Sequence, residues 1–144
     1  MGRIGFTEEA ISKAVSVSDN LDKELRELSS HIWHYGMLSA TAAQAASENK
    51  AALEHTRAQV WSEVRRNTEN KKVTVDDISA AVESDMRVVQ SRTRYTQSEA
   101  DRATLAAAVN ALLAKRDMLV QISATKTAEL RAGLSDSAPA PRRR

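Results

Sequence analysis

The chain has 144 residues, one domain's worth, with two prolines, four glycines, no cysteine and only 3% aromatic residues. Such a composition suits slim, closely packed helices and excludes disulfides and thiol chemistry. The net charge of +2 excludes neither acidic nor neutral partners by itself. Its distribution is more informative: 1–49 carries −3, 50–72 carries +3, 73–85 carries −4, 86–131 carries +4 and the tail from 132 carries +2. Alternating blocks of this size can set register between subunits or form a track for a polyanion. No apolar stretch approaches a membrane span, and MGRIGFTEEA lacks the apolar run of a secretion signal. A soluble, cytoplasmic protein is expected.

In chain order, Thr7 caps a short first helix whose first turn holds Glu8 and Glu9. The polar run 16–20 reads as a break, which bounds a short N-terminal segment 1–17. Ser18 or Asp19 then caps a long arm that runs to about Asn67. Its apolar stripe is Leu21, Leu25, Leu28, Ile32, Tyr35, Ser39, Ala42, Ala46, Asn49, Leu53, Thr56 and Val60, in alternating steps of four and three. That is the heptad pattern of a helix lying along other helices. Gly36, inside the arm, marks a bend or a close approach. The polar stretch 67–73 is a turn. Thr74 begins a short helix with Asp77 at the reciprocal position of a capping box, and Ile78 and Val82 form its apolar side. Ser84 and Asp85 cap a second long arm, about 85–132, ended by Gly133. Its stripe is read as Met86, Val89, Thr93, Thr96, Ala100, Ala103 and Ala107, continued by Leu105, Val109, Leu112, Leu119 and Ile122.

Arms of similar length make an antiparallel helical hairpin over 18–134, coiled-coil-like and all-α, with the turn and short helix at 68–84. Trp33, Met37, Leu38, Trp61, Leu113 and Val120 lie beside the main seam. They are either intramolecular packing or a second seam for self-assembly, and a narrow hairpin core favours assembly. SDSAPAPRRR, from Ser135, reads as a disordered basic tail.

Catalytic signatures are missing. No Gly-rich phosphate loop, Walker motif or nucleophile elbow occurs, and His55 has no evident acid or nucleophile partner. Glu27, His31 and His34 share a helix face, but nothing completes a metal site of the helical-bundle kind. The expectation is therefore a non-enzymatic protein without cofactor or metal.

The basic set Lys50, Arg57, Arg65, Arg66, Lys71 and Lys72 surrounds Trp61. Cations match phosphates and a flat ring stacks on unpaired bases, so this is a candidate single-strand site. The alternative is a solvated helix face partly neutralised by Glu54 and Glu63. Arg87, Arg92, Arg94 and Tyr95 open the second arm, which in a hairpin lies opposite 50–66. The acidic block Asp76, Asp77, Glu83 and Asp85 either supplies helix N-terminal charge or pairs with a basic patch on another copy.

Four stretches in order, HIWHYGMLSA, NKAALEHTRAQVWSEVRR, VTVDDISAAVESDMRVVQSRTRY and LAAAVNALLAKRDMLVQI, resemble the UvsY-type recombination, repair and single-strand-binding mediators of tailed bacteriophages. The similarity spans about Ile32 to Ile122. The chain departs from the family pattern at Glu54, where a basic residue is expected, and in its APAPRRR tail. The resemblance implies a ring of helical hairpins that binds single-stranded DNA, displaces single-strand-binding protein and loads a RecA-like recombinase in an infected bacterial host. It implies Lys50, Arg57, Trp61, Arg65 and Arg66 as DNA-binding residues, joined by Lys71, Lys72, Arg92 and Arg94 from the charge pattern. Leu112, Leu119 and Ile122 become oligomer-core residues, alongside the seam positions Trp33, Met37, Leu53, Val60, Leu105 and Val109. The rival reading is a non-enzymatic coiled-coil scaffold or phage assembly protein, which has no reason to prefer single strands over duplex.

Overall fold

The computed structural model describes residues 6–16, 20–68 and 72–136. Of these, 93% are helical, in α1 (Glu8–Val15), α2 (Leu21–Asn67), α3 (Val75–Ser84) and α4 (Met86–Asp136), with no strand among the described residues. Among them no helix is long and apolar enough to cross a membrane.

Local sequence explains most helix ends. The Thr7 hydroxyl accepts from the Ala10 amide at 3.2 Å, as an N-cap should. At the start of α2 the capping residue is Asn20, not Ser18 or Asp19: its Oδ1 accepts from the Lys23 amide at 3.1 Å. Residues 18 and 19 lie outside the described residues. Thr74 and Asp77 form the reciprocal capping box of α3. Asp85 ends α3 and begins α4, its Oδ1 accepting from the Arg87 amide at 2.8 Å. Thr74→Ala should cost about 1 kcal/mol, read as a lower urea midpoint with an unchanged slope.

The close approach at Gly36 and the helix end at Gly133 need correction. α2 runs through Gly36, where a Cβ would meet nothing within 4 Å. α4 likewise passes Gly133 and continues to Asp136, and no glycine among the described residues has positive φ. The rest of the tail read as disordered, 137–144, lies outside the described residues.

The chain forms two compact units. The first spans Tyr35–Ala107. Here α2 and α4 run antiparallel, with Glu63 paired to Arg87 at 2.7 Å and Thr56 facing Ser91. α3 packs on both. Leu53 and Val60 of α2, Ile78 and Val82 of α3 and Val88 of α4 form one buried cluster, flanked by Trp61, Val64, Val73 and Tyr95. Ala42 and Ala46 are buried along the same stripe of α2; side chains this small let neighbouring helices approach closely.

The second unit comprises Phe6–His34 and α4 from Ala108 onward. Ala14, Leu28, Ala108, Leu112 and Leu119 are its buried apolar residues. Lys115 is buried with them and binds the end of α1: its Nζ donates to Ala14 O at 2.9 Å and Ser16 O at 2.6 Å, and lies 2.5 Å from Glu24 Oε2.

Every position of the α2 stripe is buried or half-buried. The early α4 stripe is corrected. Met86, Val89, Thr93, Thr96, Ala100, Ala103 and Ala107 all face solvent. The interior face is Val88, Ser91, Tyr95, Ser98, Leu105, Ala108, Leu112, Lys115, Leu119 and Ile122. Ser98 holds its place on this face by donating locally to Tyr95 O at 2.8 Å, whereas Ser91 bonds across to Thr56. Among the proposed oligomer-core residues, Leu53, Val60, Leu105, Leu112 and Leu119 are buried within a single chain, and Val109 and Ile122 are half-buried. Trp33 and Met37 are exposed, at 69% and 53%.

Candidate nucleic-acid interface

Every candidate DNA-binding residue among the described residues belongs to the first unit. On α2, Lys50, Arg57, Trp61 and Arg65 are separated by seven, four and four residues. At 100° per residue they fall within an arc of roughly 80°, and Lys50 and Arg65 stand about 22 Å apart along the axis. They form one ridge on a flank of the helix, beside the buried stripe that ends at Val60.

Trp61 occupies the middle of this ridge. It is half-buried because one side packs against the α2–α3–α4 cluster. The Arg65 guanidinium lies over its ring, 5.1 Å from the centroid, within cation–π range. The ring is thus anchored by its packing on the core and carries the Arg65 cation near it. Along α3, an open groove of about 300 Å³ is lined by Arg57, Ala58, Trp61, Ser79, Val82 and Glu83.

The cations fall into two groups. Lys50, Arg65, Arg66, Lys72 and Arg94 are exposed and pair with no carboxylate among the described residues. Arg66 donates from Nε to Ser62 O at 3.3 Å, and its charge helps lower the Glu63 carboxyl. Lys71 lies outside the described residues. Arg57, Arg87 and Arg92 are instead compensated. Arg57 and Arg92 both meet the Glu83 carboxylate. Arg87 donates to both oxygens of Glu63, at 3.2 and 2.7 Å, and pairs with Asp85 at 3.1 Å. Its hydrogen bonds hold the Glu63 and Asp85 carboxyls below their ordinary range and push its own guanidinium further up. Asp77 is lowered by its bonds to Thr74.

Within a single chain the acidic block supplies helix N-terminal charge and local ion pairs. Asp77 and Asp85 serve helix starts, and Glu83 and Asp85 also pair within the chain. Glu63 pairs with Arg87 of α4 and is also lowered by the charge of Arg66 along its own helix. Glu54 has no ion pair among the described residues. The convergence of Arg57 and Arg92 on one carboxylate was not legible in the spacing, since they lie on different helices; Glu83 was noted only as part of a charge block.

Elsewhere, no group of three His, Asp or Glu residues among the described residues is arranged to hold a metal ion. Glu27 is exposed and makes a 4.0 Å pair with Lys23. No family model, curated protein or solved structure matches the chain.

Proposed function

We propose that this chain is a non-enzymatic mediator of recombination that binds single-stranded DNA through the α2 ridge and acts as a homo-oligomer, a ring by resemblance. In this reading it helps a RecA-like recombinase replace single-strand-binding protein on the strand. The observation that carries the binding reading is the ridge itself. Lys50 and Arg65, which pair with no carboxylate among the described residues, flank a core-anchored Trp61, with Arg66 and Lys72 further along the same segment. Cations take the phosphates, and the aromatic face takes a base that duplex DNA would keep stacked. The mediator role rests on the four-segment resemblance to the UvsY-type family.

A structural scaffold is the second reading, favoured by the exposure of Trp33 and Met37 (69% and 53%), since large exposed apolar side chains suit contact between copies. A scaffold predicts no preference between single and double strands.

The test is binding to labelled oligonucleotides over a salt series. Each phosphate contact on a single strand contributes about −0.7 to the slope of log affinity against log salt. Lys50→Ala, Arg65→Ala and Arg66→Ala combined should flatten the slope by about two units. The variant should keep its helical circular dichroism, because all three side chains are exposed. An unchanged slope in a folded variant would remove the ridge from the interface. Equal affinity for duplex would favour the scaffold.

A further inference from the structure

The compensated arginines have a geometry that the exposed ones lack. Arg57 comes from α2 and Arg92 from α4, and both guanidiniums meet one carboxylate carried by α3. Arg57 Nη2 donates to Glu83 Oε2 at 3.2 Å, and Arg92 Nη2 pairs with that same oxygen. Two cations brought this close repel unless an anion lies between them.

Glu83 fills that role incompletely. Arg57 Nε is 3.1 Å from Glu83 Oε1, yet it is shielded from solvent and not aligned for a hydrogen bond. The three side chains remain 41–45% exposed. Ion pairs this open to water contribute little, and an arriving anion can replace them. Guanidinium forks accept phosphate oxygens in the same bidentate manner as carboxylates. Arg57 and Glu83 also line the groove that Trp61 lines, on the flank of α2 that carries Lys50 and Arg65.

We infer that Arg57 and Arg92 form one two-guanidinium site for a backbone phosphate of a single strand, and that Glu83 occupies this site in the free chain as a built-in competitor. The inference rests on the nucleic-acid reading above. α3 stays packed through Ile78 and Val82, so only the Glu83 side chain must swing away. Bound strand then gains two contacts at a cost set by displacing one carboxylate, which tempers affinity and makes the strand's grip on this site reversible.

The experiment compares the full chain with Glu83→Gln, Glu54→Gln, and Glu83→Gln combined with Arg57→Ala and Arg92→Ala, on a labelled single-stranded oligonucleotide across a salt series. Glu83→Gln frees both guanidiniums, so binding should tighten about tenfold at low salt and the slope should steepen by about one unit. Glu54→Gln removes the same charge from the α2 ridge itself without freeing an arginine, and should leave the slope unchanged. The gain of Glu83→Gln should vanish when both arginines are also replaced. A Glu83→Gln protein with the parent slope, or a gain no larger than that of Glu54→Gln, overturns the inference while leaving strand binding intact. A fall in melting temperature with no change in binding also overturns it, since Glu83 would then be only a brace for α3. If neither the parent nor any variant binds the oligonucleotide, the nucleic-acid reading itself fails, and the inference with it.

Discussion

Leu112→Asp should unfold the second unit, with a loss above about 4 kcal/mol. Leu112 is fully buried, as is Leu119 one heptad later. Truncating a buried leucine alone costs about 2.7–5 kcal/mol through lost transfer energy and the cavity left behind. An unpaired carboxylate in its place adds a desolvation penalty. Met118→Asp, at a position 41% exposed, is the matched control and should change stability by less than about 0.5 kcal/mol. Urea unfolding followed by circular dichroism checks both. The experiment also separates two roles for Leu112. If it were chiefly a contact between copies, Leu112→Asp would stay helical and merely dissociate. The packing within one chain predicts loss of helicity at every protein concentration, and a helical, dissociated Leu112→Asp protein would contradict it.

Lys115→Met should destabilise the chain by about 3 kcal/mol. A lysine ammonium has three donors, and Lys115 places them on Ala14 O, Ser16 O and Glu24. Its side chain is only 5% exposed and that of Glu24 15%. Breaking one side of a buried pair leaves the other charge uncompensated, which costs about 3–5 kcal/mol. Here the loss also strips carbonyls at the C-terminal end of α1 of the cation that satisfies them. Methionine preserves the aliphatic length, so the effect reports the ammonium rather than a cavity. Adding Glu24→Gln should recover part of the loss, because it removes the carboxylate that faces Lys115. The checks are urea midpoints for the two single variants and the double, and amide exchange in α1, whose protection should fall with Lys115→Met. A loss under about 1 kcal/mol would make Lys115 an ordinary surface lysine.

These two residues show where the sequence was legible and where it was not. The α2 stripe could be read directly because it is a run of heptad steps in which nearly every interior position is apolar or small. Thr7 and the Thr74–Asp77 box were legible because caps are local: the side chain bonds to an amide three residues away. The Leu105 to Ile122 face of α4 was readable for the same reason as α2. Lys115 was missed, although a clue lies in the sequence: it stands at a seam position, three after Leu112 and four before Leu119. Its acceptors, however, are about 100 residues away in the chain, on α1 and the residue after it.

What the sequence by itself determined is an all-helical chain with long arms, their interior stripe where that stripe is apolar, and a basic segment around Trp61. Periodicity and capping carry that information within a few turns of helix. Tertiary structure alone decided the rest. It turned the early part of α4 so that Met86 and Val89 face water while Val88 and Ser98 face inward, because α3 and α2 present their surfaces to that side. It also divided the cations. Arg57 and Arg65 look alike in a charge row, yet one is held by a carboxylate from α3 and the other lies open over an indole. Net charge adds over a sequence, whereas compensation depends on distances of 3 to 4 Å that only folding sets.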